Sequence, residues 1–227
     1  MGWLQAMAKP ENVAGMARYG INADRTLGIS IYELRKIARR IGSDHSLALA
    51  LWECGVHEGR ILASYVEDPK QVTEEQAEAW AHDFDSWDVC DQVCGLFEQT
   101  GFAYRKVFEW SQREEEFVKR AAFAILAGMA VHDRAAPDAQ FAQFFPVLEA
   151  QAGDGRNFVK KGVNWALRNI GKRNQSLHAE AVASAHRIAG QSSRSAHWIA
   201  ADALRELTSE KSLARLAKKA PTKLQQG

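Results

Sequence analysis

Residues 27–41 read LGISIYELRKIARRI. Apolar side chains recur in this stretch at the three- and four-residue spacing of an amphipathic α-helix: they are Ile31, Leu34, Ile37, Ala38 and Ile41. Gly42 and Ser43 follow, and such residues break helices. The stretch therefore predicts a helix that ends near residue 41.

The same helical pattern continues along the chain, with short turns between the stretches. We predict further helices over residues 45–56, 58–65, 73–82, 87–97, 114–131, 139–150, 157–170, 177–188, 195–207 and 213–217. Thr73 and Gln76 fit a capping box, and Asp85 or Ser86 is placed to cap the helix at residue 87. Helix pairs that recur roughly every 35–45 residues are typical of HEAT and armadillo repeats. The sequence therefore predicts an all-α fold, an α-α superhelix of HEAT-like helical repeats.

Length and composition predict one globular domain. Of the 227 residues, 46% are hydrophobic and 25% are charged, and no stretch is rich enough in Pro, Gly or Ser to act as a linker. We expect a single domain over residues 1–227 with a frayed tail from about residue 219. No apolar run approaches the roughly 20 residues that span a bilayer, and the first ten residues lack a signal-peptide pattern. The expected location is the cytoplasm.

The charge is distributed unevenly along the chain, although the net charge is only +1. Residues 1–40 carry seven basic and three acidic side chains, residues 41–118 carry five and seventeen, and residues 151–227 carry fourteen and five. This distribution predicts a basic surface built from the two ends of the chain. The alternative is the uneven charge of a long solenoid, without a role in binding.

The three cysteines argue against a disulfide framework, because their number is odd. Cys90 and Cys94 are four residues apart and share one face of a helix. No second pair of Cys or His residues has the spacing that would complete a zinc site. We therefore expect buried structural thiols in preference to a metal or redox centre.

An acidic segment at the start of a predicted helix is the first candidate for chemistry. In a helix that begins near Ser86, Trp87 and Asp91 lie four residues apart on one face, and Asp88 is also adjacent to Asp91. An Asp near a helix N-terminus stabilises the helix dipole, and a Trp can fill the core, so a structural role is the alternative. Asp91 lies beyond the first turn and is repelled by Asp88, so a structural role explains it less well than it explains Asp88.

Two further segments combine cations with small or aromatic residues. In residues 117–124, Arg120 precedes small residues, and its guanidinium could contact a phosphate or pair with an acidic helix. The other segment places four side chains on one helix face: Lys161, Trp165, Arg168 and Lys172. An aromatic ring flanked by cations is typical of nucleic-acid recognition. The alternative is a core Trp surrounded by cations that extend to solvent.

Taken together, these segments resemble the DNA alkylation repair family, the HEAT-like repeat 3-methyladenine DNA glycosylases. That family has a Trp and an Asp four apart after an acidic turn, an Arg in a Lys/Arg-Arg-Ala-Ala helix, and a Trp in a Lys-Lys/Ala-x-x-Trp-x-Leu-Arg helix. The matching positions here are Trp87, Asp91, Arg120 and Trp165. Residues 27–34 and 47–62 also look like the early repeats of the family, and the resemblance covers roughly residues 15–210.

The resemblance implies a monofunctional DNA glycosylase of base excision repair. Its substrates would be positively charged N3- or N7-alkylpurines in duplex DNA, such as 3-methyladenine and 7-methylguanine. Asp91 would stabilise the oxocarbenium character of the sugar, and Trp87 and Trp165 would hold the cationic nucleotide. The DNA backbone would be contacted by Arg120, Lys161, Arg168 and Lys172.

Two other functions fit the same residues. One is a HEAT-repeat scaffold that binds DNA without catalysis, and the other is a HEAT-repeat adaptor between proteins. For the leading function we expect a monomer that needs no cofactor and no metal ion, does not associate with membranes, and joins the nucleoid when it binds DNA.

Overall fold

The computed structural model describes residues 2–219 of the chain, and all regular secondary structure in that range is helical. The helices are α1 (Gly2–Gln5), α2 (Pro10–Arg18), α3 (Ile31–Ile41), α4 (His45–Glu53), α5 (His57–Val66), α6 (Glu74–His82), α7 (Trp87–Phe97), α8 (Ala103–Ser111), α9 (Glu116–His132), α10 (Asp138–Ala142), α11 (Phe145–Gln151), α12 (Asn157–Gly171), α13 (Gln175–Ala189), α14 (Arg194–Leu207) and α15 (Glu210–Lys219). The all-helical prediction is confirmed, and α7 has the predicted bounds.

Side-chain caps fix several helix starts. Ser30 and Glu33 form a reciprocal capping box at α3. At α6 only half of the predicted capping box forms: Thr73 accepts a hydrogen bond from the backbone N–H of Gln76, but the Gln76 amide donates to Glu67. Ser86 occupies the N-cap position of α7 but makes no side-chain cap. Its hydroxyl instead donates to Oδ1 of Asp88 at 2.9 Å, because this hydroxyl is buried beside that carboxylate.

Other boundaries differ from the prediction for reasons of backbone chemistry. Helix α3 begins at Ile31 rather than Leu27, because Gly28 has φ +79° and a Cβ there would lie 2.2 Å from the carbonyl oxygen of Lys9. The predicted helix over residues 139–150 is broken into α10 and α11, since Pro146 has no N–H to continue the ladder. Helices α1, α2 and α8 were not predicted.

The chain divides into two compact units, Met1–Ile125 and Leu126–Gly227. In the first unit α5 packs between α3 and α7, with α4 against α5. An aromatic row fills its core: Trp52 stacks on Trp80 with ring centroids 4.1 Å apart, and the row continues through Phe97 to Trp110. This core holds α7 in place, and α7 carries the first candidate site.

In the second unit α12, α13 and α14 pack against one another. Gly171 allows their close approach, because a Cβ there would lie 2.8 Å from side-chain carbons of Ala181 and Leu207. No helix in the described range 2–219 is long and apolar enough to cross a membrane. The single domain over residues 1–227 stays a prediction, and nearly all of the predicted frayed tail lies outside the described residues.

Candidate functional site

Trp87 is the first residue of α7, and its indole is half-buried in the first unit. The ring nitrogen Nε1 donates a hydrogen bond to the carbonyl oxygen of Tyr19 at 3.0 Å. A ring tied at its polar end keeps one orientation, so the segment near residue 19 sets the direction of the Trp87 ring.

Asp91 lies one helical turn beyond Trp87 and forms a bidentate pair with Arg120 of α9. Nε and Nη2 of Arg120 donate to the two carboxylate oxygens of Asp91 at 2.9 and 2.7 Å. The side chain of Asp91 is 13% exposed and that of Arg120 is 7% exposed, so the pair is largely screened from water. The Arg120 guanidinium also lies 6.0 Å from the centre of the Trp87 ring. Three of the predicted site residues therefore form one cluster in the first unit, which is named here the Trp87 cluster.

Burial and mutual pairing shift the pKa values of both Asp91 and Arg120. Burial raises the pKa of the Asp91 carboxyl, and the charge and hydrogen bonds of Arg120 oppose that rise without cancelling it. For Arg120, burial lowers the pKa of the guanidinium, but the charge and hydrogen bonds of Asp91, with the nearby thiols of Cys90 and Cys94, together outweigh burial, and the pKa is raised. Arg120 therefore stays cationic, and it compensates the carboxylate that the sequence predicted to be catalytic.

A second buried pair supports the start of α7. Nε2 of His57 lies 2.9 Å from Oδ2 of Asp88, and both residues are buried. Burial lowers the pKa of His57, but the hydrogen bond to Asp88 and its charge more than reverse this, and the pKa is raised. Burial alone would raise the pKa of Asp88, but the hydrogen bonds and charge of its partners, His57 first among them, lower the pKa below its ordinary value. His57 lies within residues 47–62, which resemble the early repeats of the family, but no role was predicted for it.

Glu58, the next residue of α5, anchors the segment that precedes α3. Its buried carboxylate accepts hydrogen bonds from three successive backbone N–H groups: those of Leu27, Gly28 and Ile29, at 2.8, 2.7 and 3.1 Å. Nearer the cluster, the backbone N–H of Asn22 donates to the hydroxyl of Ser86 at 3.1 Å. The segment that orients Trp87 is thus fixed by polar contacts from both α5 and the N-terminus of α7.

The remaining predicted site residues lie on α12 in the second unit. Trp165 is half-buried, and Lys161 is exposed. Arg168 pairs with Glu206 of α14, and Nζ of Lys172 lies 2.8 Å from the same carboxylate. Within the described residues, Lys161 is the one predicted DNA-binding cation that forms no ion pair. Arg120, Arg168 and Lys172 each have a carboxylate partner already.

Both α7 cysteines are buried, as expected for structural thiols. The thiols of Cys90 and Cys94 point to the carbonyl oxygens of Phe117 and Ala121 on α9, at 3.5 and 3.6 Å. Across residues 2–219, no three side chains of His, Cys, Asp or Glu converge in the manner of metal ligands. The thiols therefore help to pack α7 against α9 behind the Trp87 cluster.

Comparison with known proteins identifies the family. The family model described as DNA alkylation repair enzyme matches residues 2–207. The chain belongs to the DNA alkylation repair enzyme family. This match spans both units and all four positions through which the sequence resembled the family, so the predicted relationship is confirmed.

A solved structure agrees with the family in fold. It comes from a study described as "A new family of proteins related to the HEAT-like repeat DNA glycosylases with affinity for branched DNA structures". The two chains are 17% identical, with a TM-score of 0.74 over 91% of this chain and 93% of that one. The HEAT-like repeat fold predicted from the sequence is thereby confirmed.

Two further comparisons add little about function. A designed armadillo repeat protein in complex with the peptide (KR)4 is 15% identical, with a TM-score of 0.39 over 82% of this chain and 79% of that one. No curated protein matches the chain.

Proposed function

We propose that this family member binds duplex DNA as a monomer and hydrolyses the N-glycosyl bond of cationic N3- and N7-alkylpurines. The observation that carries the proposal is the Trp87 cluster, in which the aromatic ring, the carboxylate and the guanidinium lie together at one end of α7. The membership of the chain in the DNA alkylation repair enzyme family supports the same chemistry.

The proposed reaction uses the charge that alkylation has already placed on the base. The C1′–N bond breaks and its electron pair leaves with the purine, which becomes neutral. Positive charge develops on the sugar, where the Asp91 carboxylate stabilises it and positions the water that adds to C1′. The proton of that water passes to Asp91 or to solvent. Trp87 holds the cationic nucleotide through its ring face, and the same role for Trp165 stays a prediction from the sequence.

The Asp91–Arg120 pair gives this proposal a step that the sequence alone did not suggest. A carboxylate that is neutralised by a guanidinium stabilises a second cation poorly, because its charge is already compensated. Arg120 is also the residue assigned to a DNA phosphate. In the proposed mechanism, a backbone phosphate draws Arg120 away from Asp91 and frees the carboxylate for the sugar. Phosphate binding and catalysis would then be coupled through one side chain.

A second function is favoured by the same pair. If Arg120 stays on Asp91 when DNA binds, the pair is a structural link between α7 and α9, and the chain is a DNA-binding protein without hydrolase activity. The similarity in fold to a protein described as having affinity for branched DNA supports this alternative. The two functions differ in one measurable respect, which is the release of base from alkylated DNA.

The deciding experiment measures the release of 7-methylguanine from methylated duplex DNA. We expect release by the wild type and a loss of about 100-fold in Asp91→Asn, since the variant keeps the shape of the side chain but not its charge. Asp24→Asn, which changes an exposed aspartate of the same unit, is the matched control and should retain the full rate. Folded wild-type protein that binds DNA but releases no base would overturn the hydrolase proposal in favour of the second function. Equal rates for wild type and Asp91→Asn would overturn only the role of Asp91.

A further inference from the structure

Helix α3 has a face of exposed cations that neither the predicted site nor the Trp87 cluster includes. Four basic residues that lie one helical turn apart in two pairs are exposed along it: Arg35, Lys36, Arg39 and Arg40. Beside them, Tyr32 is 65% exposed, even with the Lys36 ammonium 4.2 Å from the centre of its ring. The one acidic residue of the helix, Glu33, pairs with Lys9 instead.

These four cations lack the carboxylate partners that four other arginines of the first unit have. Arg60, Arg105, Arg113 and Arg120 each form an ion pair with at least one carboxylate. In the range 2–219, none of the four α3 cations does so. Arg35 donates to Tyr65 and Gln92, and Nε of Arg39 donates to the carbonyl oxygen of Arg35. Among the described residues, no carboxylate therefore compensates their positive charge.

A groove of about 550 Å³ runs beside this face, and no carboxylate lines it. Its lining consists of Tyr32, Arg35, Ala38, Arg39, Gly42 and Tyr65. The volume lies within the range of about 300–1,000 Å³ that is typical of small-ligand sites. The groove is thus of the size of a single nucleotide, with cations and aromatic rings in its wall.

Hydrogen bonds connect the groove to the helix of the Trp87 cluster. Nη2 of Arg35 donates to Oε1 of Gln92 at 3.2 Å, and the hydroxyl of Tyr65 donates to the same oxygen. Gln92 is the residue that follows Asp91 on α7. A DNA strand bound in the groove would therefore lie next to α7, the helix that carries the Trp87 cluster.

We propose that this groove binds a single-stranded segment of DNA, with a base stacked on Tyr32 and backbone phosphates on Arg35 and Arg39. The inference deepens the DNA binding of the proposed function. Bases in a duplex have their faces covered by neighbouring base pairs, so an exposed ring next to unpaired cations fits an unstacked base better than a paired one. A branched, gapped or frayed DNA presents such a base next to a duplex.

The test compares two fluorescently labelled DNAs by anisotropy: a blunt duplex, and the same duplex with a short thymidine overhang at one end. We expect the wild type to bind the overhang DNA about 10-fold more tightly, since stacking of one base on an aromatic side chain has this magnitude. Tyr32→Ala and Arg39→Gln should each remove most of that difference. Tyr32→Phe keeps the ring and should retain it, and Arg105→Gln is the control for loss of one exposed arginine.

The outcomes separate this inference from the proposed function. No gain in affinity from the overhang in the wild type would overturn the inference, whatever the rate of base release. An equal loss of affinity for both DNAs in Tyr32→Ala and Arg39→Gln would also overturn it, since the groove would then contact duplex phosphates. Blunt-duplex binding and 7-methylguanine release test the proposed function independently, because neither requires an overhang.

Discussion

His57 and Asp88 form a buried pair in which Nε2 lies 2.9 Å from Oδ2, and this pair joins α5 to the first turn of α7. Asp88 also accepts a hydrogen bond from Ser86, so the carboxylate is held from two sides. The position of α7, the helix that carries Asp91, therefore depends on the ion pair with His57 of α5 as well as on apolar packing.

The stability of the protein should change with pH through this pair. The raised pKa of His57 adds stability that is fully present below the unfolded value of 6.5 and is lost as pH rises through the folded value. The lowered pKa of Asp88 adds stability that is present above 3.8 and is lost as pH falls. The pair should therefore stabilise most between pH 3.8 and 6.5. His57→Gln should cost about 3 kcal/mol at weakly acidic pH and less at alkaline pH.

Urea unfolding at several pH values measures this difference. His197→Gln, which changes an exposed histidine of α14, is the control and should leave stability nearly unchanged at every pH. A cost of His57→Gln that does not vary with pH would contradict an ionised His57–Asp88 pair.

Glu58→Gln should loosen the segment before α3. The carboxylate accepts three backbone N–H groups, and an amide presents one N–H₂ group where an acceptor is needed. We expect a loss of about 3 kcal/mol in the free energy of unfolding. Hydrogen exchange at Leu27, Gly28 and Ile29 should accelerate, whereas Glu53→Gln at an exposed position should change neither quantity. Unchanged exchange at these three amides would show that other contacts hold the segment.

A double-mutant cycle on Asp91 and Arg120 should show strong coupling. Arg120→Gln leaves a buried carboxylate without its counterion, which typically costs about 3–5 kcal/mol. Asp91→Asn combined with Arg120→Gln removes both charges, so the double variant should be more stable than Arg120→Gln alone. Urea unfolding of the four proteins gives the coupling energy. Additive losses would contradict the pair as a unit.

Gly171→Ala should destabilise the second unit. The added methyl group would lie 2.8 Å from carbons of Ala181 and Leu207, where three helices meet, and overpacking of this kind costs about 1–3 kcal/mol. Gly95→Ala is the matched helical control, because a Cβ there has no neighbour within 4 Å. It should be neutral or stabilising by up to about 1 kcal/mol. Thermal unfolding of the two variants should therefore shift in opposite directions or differ clearly in size.

Lys161→Ala should weaken DNA binding by the same factor for every sequence. Lys161 is exposed and has no carboxylate to compete with a phosphate, unlike Arg168 and Lys172. Loss of one phosphate contact should reduce the slope of log affinity against log salt by about 0.9. Lys70→Ala, at an exposed position of the acidic part of the chain, should keep the wild-type slope. A slope unchanged by Lys161→Ala would argue against a phosphate contact at this residue.

The helices could be predicted from the sequence where local chemistry alone decides them. Periodicity and the Thr73 cap gave α6, and α7 was predicted from residue 87 to 97. The break at residues 143–144 and the late start of α3 were missed, because they depend on the missing N–H of Pro146 and on the close approach of Gly28 to Lys9. Helix α8 was missed as well, since much of its polar surface is explained only by ion pairs with α6.

The candidate site was predictable in its residues but not in its pairing. Spacing on α7 indicated that Trp87 and Asp91 share a face, which depends on one helix alone. The partners of Asp91 and Asp88 come from α9 and α5, about 30 residues away in each direction, and their charges alone do not say which acid meets which base. Sequence reasoning left open whether Arg120 binds phosphate or an acidic helix, and the pair with Asp91 realises the second option in the unbound chain.

The hydrogen bond from the indole of Trp87 ends on a main-chain oxygen, that of Tyr19. The Tyr19 side chain is 77% exposed and takes no part in that bond. Any residue that keeps the backbone path can occupy position 19, so evolution is free to vary its identity while the ring stays oriented. Selection at this position therefore acts on the backbone conformation and not on the identity of the side chain. Relatives with unrelated residues at position 19 should therefore hold the same tryptophan in the same way.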